Sequence, residues 1–309
     1  MDGSFEILRG RDFGQVVAIL NKVCGGDKEK LDALLRDELE VKLVERILKL
    51  VDKNGRVIPA KDLKSAVCDA NKDFYLVKPS LKTAADYANR LVRFQKAFKT
   101  GPVMSAAEFE GRSEELVSEI GNQKNFANLL NGVNFPVILP KLDSFKDYGR
   151  ILEETFLPAA KFAYEKQFPG RRFYNYREND LAGKVSVIPG ARHEKLLERT
   201  AREFVVAIYF PNSLQGFSVL ASREQMAALP ESLLLAGGFD TAAAIAMYPD
   251  LLTRGWYTPG LDTAALMWQS PGGSLSFEAH DDGLDFVGRS DLGEARGGYS
   301  SGLLFLGSA

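Results

Sequence analysis

Near Val133 the hydrophobic period of the chain changes, and that change limits the folds open to it. Before this point apolar residues recur at helical spacing, as in Phe13, Val16, Val17 and Leu20, and again in Tyr87, Leu91 and Phe94. After it the apolar runs are short, alternate, and are bounded by Gly, Pro, Asp or Ser, which is strand spacing. A long helical stretch followed by many short strands with interspersed helices reads as α+β. The expectation is a helical N-terminal region followed by a mixed, largely antiparallel sheet. Residues 1–130 and 131–309 form its two regions, with the boundary between Asn122 and Pro140.

In the first region the spacing predicts a helix from Phe13 to the stop at Gly25-Gly26. A long helix follows over Lys28–Val51, through Leu39, Leu43 and Ile47, with a break near Arg36-Asp37. A short helix after Pro59 would carry Leu63, Ala66 and Val67. Phe74–Val77 reads as a short strand and Ala84–Phe98 as a helix. A further helix opens at Ser113, with Ser105 capping a short piece before it.

In the second region Phe135–Leu139 reads as a strand. Ser144–Phe168 reads as a long helix that Pro158 should kink, because proline lacks the N–H the helix needs and crowds the preceding turn. Strands are expected at Arg172–Tyr176, Val185–Ile188, Glu203–Phe210, Leu233–Leu235, Ala264–Trp268, Ser274–His280, Leu284–Val287 and Gly302–Leu306. Helices are expected at His193–Arg202, Ser222–Leu229 and Asp240–Tyr248. The final stretch should be an antiparallel meander, turning at Ser270-Pro271-Gly272-Gly273 and at Asp282-Gly283.

The chain has 309 residues and a formal net charge of −2, so the whole molecule does not act as an electrostatic magnet for nucleic acid or membrane. The longest apolar run, Phe204–Phe210, falls far short of the about 20 residues that span a bilayer. No signal peptide is read at the start. The two cysteines, Cys24 and Cys68, do not make a disulfide framework and fit reducing surroundings, so a soluble cytoplasmic protein with no membrane association is expected.

Each motif stops short of a known chemistry. Asp52-Lys53-Asn54-Gly55 begins like a calcium loop, but Arg56 and Val57 stand where a ligand and a glycine are needed, so a turn is expected. Leu233–Thr241 reads as strand, Gly-Gly, helix, which can present N–H groups to a phosphate. Asp240 or Thr241, however, would cap those same groups. Gly-x-Ser-x-Gly is absent, and two histidines, His193 and His280, are little material for a serine triad.

Two features remain. Lys42–Lys99 holds fourteen Lys plus Arg against six Asp plus Glu, in an order compatible with a winged helix, so nucleic-acid contact is carried as an alternative. The polar run Glu278-Ala279-His280-Asp281-Asp282-Gly283-Leu284-Asp285 sorts cleanly as a hairpin. Leu275, Phe277, Ala279, Leu284 and Phe286 share one face, and Ser276, Glu278, His280 and Asp285 the other. An imidazole beside a carboxylate can serve as acid and base, so His280 and Asp285 are the candidate catalytic residues. No cofactor and no metal is assigned. The leading expectation is a non-catalytic binding or interaction protein, with a protein partner or self-association. The alternatives are an enzyme with its site near His280 and a nucleic-acid-associated protein using Lys42–Lys99.

Overall fold

The computed structural model describes residues 13–36, 49–142 and 146–307. The chain divides into two compact units, Met1–Ile47 and Leu48–Ala309. The first contains α1 (Phe13–Val23) and α2 (Lys28–Leu35). Asp27 caps α2 by accepting from the Glu29 and Lys30 N–H groups. This helix ends at Arg36, where the sequence suggested a break. Its expected continuation through Leu39, Leu43 and Ile47, and the start of the basic segment at Lys42, lie outside the described residues.

In the second unit the helices are α3 (Ala84–Phe98), α4 (Ala106–Gly121), α5 (Tyr148–Ile151), α6 (Leu157–Gln167), α7 (Glu194–Thr200), α8 (Val219–Gln225), α9 (Gly238–Met247) and α10 (Pro249–Leu252). The strands are β1 (Phe135–Leu139), β2 (Arg172–Asn175), β3 (Val185–Val187), β4 (Val205–Gln215), β5 (Leu233–Leu235), β6 (Gly260–Asp262), β7 (Leu266–Trp268), β8 (Ser274–Ala279), β9 (Gly283–Arg289) and β10 (Tyr299–Phe305). Eight strands form one mixed sheet in the order β1-β4-β10-β6-β8-β9-β2, with β5 also on β10, and β3 pairs with β7 in a second, small sheet. The chain is therefore α+β, as its changing period implies.

Helices α3, α6 and α9 bury Leu91, Phe94, Leu157 and Phe239 with Val137, Phe277 and Phe286 of the sheet in one cluster. A second cluster joins Ile208, Phe210, Leu303 and Phe305 to Val51, Phe126 and Met226. Alternation along β4 and β10 sends successive side chains to these two cores. Between α5 and α6, residues Leu152–Phe156 form a π-helical turn. Pro158, which lies just beyond that turn, cannot donate to the carbonyl four residues back, so the wider turn absorbs the interruption.

Several expectations are corrected. Residues after Pro59 and the run Phe74–Val77 form no helix or strand; isolated bridges Val51↔Val57 and Val67↔Phe217 hold this stretch instead. Val67 thus satisfies its apolar character across the chain rather than along a helix. Helix α4 starts directly after its cap, Ser105, and Ser113 is buried inside it with its hydroxyl donating to Phe109 O at 2.6 Å. Helix α8 begins before the expected Ser222, with Ser218 as its cap.

The C-terminal stretch is not a simple meander, since β10 runs parallel to β6 and β2 parallel to β9. Nor does the β8–β9 hairpin turn at Asp282-Gly283. Ala279 pairs with Leu284 and the His280 N–H donates to Gly283 O at 2.8 Å, leaving Asp281-Asp282 as the loop. Gly283 serves the neighbouring strand: a Cβ there would meet Arg172 O at 2.9 Å and the Tyr174 ring at 3.0 Å. Gly283→Ala is therefore expected to wedge β2 off β9 and lower stability by about 1–3 kcal/mol. Urea unfolding measures this, and an unchanged midpoint would contradict the assignment.

Candidate functional site

Strand alternation builds one polar face on the sheet. In β8 and β9, Phe277 pairs with Phe286 and Ala279 with Leu284 on the buried side. Ser276, Glu278 and Asp285 consequently point the other way, together with Val287 and Arg289. Although the turn lies one residue earlier than expected, the pairing sum moves by two, so the faces sort as the sequence predicted. The one-residue difference moves Asp285 from a place opposite His280 to one opposite Glu278. His280 now reaches it diagonally, with Nε2 at 3.4 Å from Asp285 Oδ2.

Parallel pairing with β2 adds two aromatic rings to this face. Tyr174 is paired with Asp285, and the Tyr176 N–H continues the ladder by donating to Phe286 O at 3.0 Å. Tyr174 is 40% and Tyr176 59% exposed, so both present ring surface to solvent. A third exposed ring comes from the loop after α10. The Trp256 N–H donates to Asp281 Oδ1 at 3.3 Å, which sets the indole 5.5 Å from the His280 ring with 55% of the residue exposed.

Toward β6 and β10 the same face becomes closed. Asp262 pairs with Ser276 on one side and Ser301 on the other. Tyr299 lies over Gly260, where a Cβ would meet its ring at 2.6 Å. Nearby, Glu278 accepts from Ser276 Oγ at 3.0 Å, and its charge adds to burial in raising the Tyr299 hydroxyl. The Arg289 guanidinium stacks 4.4 Å over the Tyr299 ring. Its Nη1 is 3.8 Å from Asp262 Oδ1, at ion-pair but not hydrogen-bond distance. Asp262 Oδ1, Arg289 Nη1 and Ser301 Oγ are all buried with no hydrogen-bond partner among the described residues. Three such atoms on neighbouring strands of one face are unusual, because native proteins pair nearly all buried polar groups.

Burial sets the protonation of these groups. It pushes the Asp262 carboxyl up to about 7; Arg289 opposes the rise and Glu278 adds to it. Asp285 is raised by burial, with His280 opposing and Glu278 and Asp282 adding. The face thus combines a carboxyl that holds its proton more firmly than usual with an imidazole and a neighbouring carboxylate.

The other histidine lies elsewhere, in a sealed network. His193 is fully buried, and its Nδ1 faces Leu235 O at 3.3 Å. A carbonyl only accepts, so Nδ1 carries the proton and Nε2 accepts from the Tyr148 hydroxyl at 3.1 Å. That hydroxyl in turn accepts from the Gly238 and Phe239 N–H groups at 3.0 and 3.2 Å. The Gly237 N–H donates to Asp240 Oδ1 at 2.9 Å. A tyrosine hydroxyl and a capping carboxyl thereby take the N–H groups that a phosphate would need at this strand–Gly-Gly–helix junction. Burial pushes His193 down to about 4 and Asp240 up to about 7, so the imidazole is uncharged near neutral pH while the carboxyl titrates there. Their 3.9 Å separation is therefore a contact with a neutral imidazole, not an ion pair.

The described part of the basic segment contains one helix, α3, after a run of turns and bridges, so the expected winged-helix order is absent there. Arg56, Lys72 and Lys78 line one concavity, and Arg90, Arg93 and Lys96 another. Asp52-Lys53-Asn54-Gly55 is a turn, in which Asp52 Oδ1 accepts from the Asn54 and Arg56 N–H groups. Cys24 and Cys68 are both free. Among the described residues no group of three or more His, Cys, Asp or Glu is placed to hold a metal ion, and no helix is long and apolar enough to cross a membrane.

Sequence reasoning placed Glu278, His280 and Asp285 on one face. It missed Trp256, which lies in a loop, Asp262, on a strand of three residues, and Arg289 and Tyr299, which stand at the ends of β9 and β10 beyond the strand bounds expected from the sequence. No known family, curated protein or solved structure matches the chain.

The buried network makes stability depend on pH. Asp240 is raised above an unfolded aspartate, so its stabilising contribution is complete below the unfolded value and is lost as pH rises through about 7. His193 is lowered, so its contribution is present above its unfolded value and is lost as pH falls through about 4. Asp240→Asn keeps an acceptor for the Gly237 N–H but cannot ionise. Between about pH 6 and pH 8 the native protein should lose about 1 kcal/mol more stability than this variant. Parallel pH slopes of Tm for the two proteins would contradict the assignment.

Proposed function

We propose that the protein is a non-catalytic binding protein whose polar sheet face takes a neutral, polyhydroxylated ligand, an oligosaccharide in chemical class. The observation that carries this reading is the row in which Glu278, Asp285 and Tyr174 follow one another on three adjacent strands, beside His280 and the exposed Trp256.

Ionised carboxylates only accept hydrogen bonds, so their best partners are hydroxyl or N–H donors, and they repel phosphate. Imidazole and guanidinium groups supply the complementary donors. Exposed tyrosine and tryptophan rings offer flat apolar surface at little entropic cost, which suits the C–H face of a pyranose ring. Carboxylates at directly opposed positions repel one another when empty, and a ligand that donates to both relieves that repulsion. Glu278 and Asp285 have this arrangement, with rings at both ends of the row.

Calorimetric titration of the full chain with cellohexaose, xylohexaose, maltohexaose and chitohexaose tests the proposal. Binding of at least one is expected, weakened about tenfold by Trp256→Ala and by Tyr174→Ala, the cost of one lost ring contact. No heat with any of the four, or unchanged affinity in both variants, would contradict it. New reducing ends in the titrated sugar, lost in Asp285→Asn, would instead make His280 and Asp285 an active site.

A further inference from the structure

A concavity of about 420 Å³ lies between α3 and α6, with Pro249 of α10 also lining it. That volume falls within the roughly 300–1,000 Å³ of small-molecule sites. Its charge is strongly one-sided: Arg90, Arg93, Lys96 and Lys166 line it, against Asp86 alone. Asp86 is already engaged at the start of α3, where it accepts from the Lys82 and Thr83 N–H groups and the Thr83 hydroxyl. Arg90 is engaged as well. It forks onto both oxygens of Asp250 at 2.6 and 3.0 Å, donates to Met247 O and stacks over the Tyr248 ring.

The remaining cations differ. Arg93 gives only Nη1 to Asp250, at 2.8 Å. Among the described residues no carboxylate pairs with Lys96 or Lys166. Lys166 Nζ instead sits 5.7 Å over the Phe162 ring. Phe162 is 44% and Val92 43% exposed, and with Leu81 they give the same groove an apolar wall. Two lysines with no carboxylate partner among the described residues and the second edge of Arg93 share the groove with open apolar side chains, which suits a ligand that is both anionic and apolar.

We propose that this groove binds a small amphipathic anion, a single carboxylate, sulfonate or phosphate head on an apolar body. Lys96, Lys166 and the free edge of Arg93 receive the head, and Val92, Phe162 and Leu81 the body. The mixture of cations and apolar side chains within one groove of about 420 Å³ favours a compact amphiphile over a polyanion, whose repeated charges would leave the apolar wall uncovered. The site is on different elements from the sheet face and does not depend on it.

Anilinonaphthalene sulfonate fluorescence reports occupancy of the full-length protein directly. The native protein should bind the probe, weaken as NaCl rises from about 50 to about 500 mM, and release it to decanoate but not to decanol. Lys96→Glu with Lys166→Glu should reduce affinity about tenfold or more with an unchanged Tm. Should that double variant not fold, Lys166→Gln alone should still weaken binding. Unchanged affinity in the folded variant, or equal displacement by decanol, would overturn the proposal. Co-sedimentation with phosphatidylglycerol vesicles that decanoate does not compete would also overturn it, by placing the ligand in a membrane.

Discussion

Strand β10 bonds along both edges, and the rest of the sheet depends on this. One edge runs antiparallel to β4, while the other is shared between β6, parallel to Tyr299–Ser301, and β5, antiparallel to Leu303–Phe305. The register against β4 shifts between Ser301 and Leu303, with Gly302 at the bulge. A Cβ at Gly302 would meet the Tyr209 ring at 2.6 Å, so this crossing requires a glycine. The two halves of the strand differ in chemistry accordingly. Leu303 and Phe305 belong to the apolar core, and Tyr299 and Ser301 open the polar face that continues through β6, β8, β9 and β2.

What was legible in the sequence follows from how local each cause is. The hairpin faces are a matter of alternation, so Glu278, His280 and Asp285 could be grouped without a structure. The turn position could not be read, because Gly283 answers to Arg172 and Tyr174, far away in the chain, rather than to its own loop. Helix α3 was legible from end to end: its apolar spacing and its capping pair Thr83 and Asp86 agree. Residues 49–83 were misread in part for the opposite reason, since Leu63, Ala66 and Val67 keep a helical spacing while Val67 pairs with Phe217 and Ala66 O accepts from Ser218 N–H across the chain. Strand β6 has three residues, Gly260, Leu261 and Asp262, too few to show any period. The seat offered by Gly237-Gly238 was recognisable, but its occupant, the Tyr148 hydroxyl, comes from a different helix.

The near-neutral net charge of −2 conceals two regions of opposite character. The sheet face gathers Asp262, Glu278, Asp285 and exposed rings; the groove on α3 and α6 gathers arginines, lysines and exposed aliphatic and aromatic side chains. A carboxylate face suits a ligand rich in donors and a cationic groove suits an anion, so the two proposed sites select different chemistry on one scaffold. The His193–Tyr148–Asp240 network stands apart from both. Every hydrogen-bonding direction of the Tyr148 hydroxyl is used within the fold, which is the mark of a structural polar knot rather than a ligand site.

Fluorine NMR tests the claim for the sheet face most directly, because the chain has two tryptophans, one on each side of the question. Trp256 borders the polar face beside His280, whereas Trp268 lies over Gly288 on the opposite, apolar side of β9. With fluorotryptophan in both positions, and Trp256→Phe to assign the signals, saturating oligosaccharide should move the Trp256 resonance and leave Trp268 in place. A Trp256 signal that does not move, or a shift confined to Trp268, would show that the polar face is not where such a ligand binds.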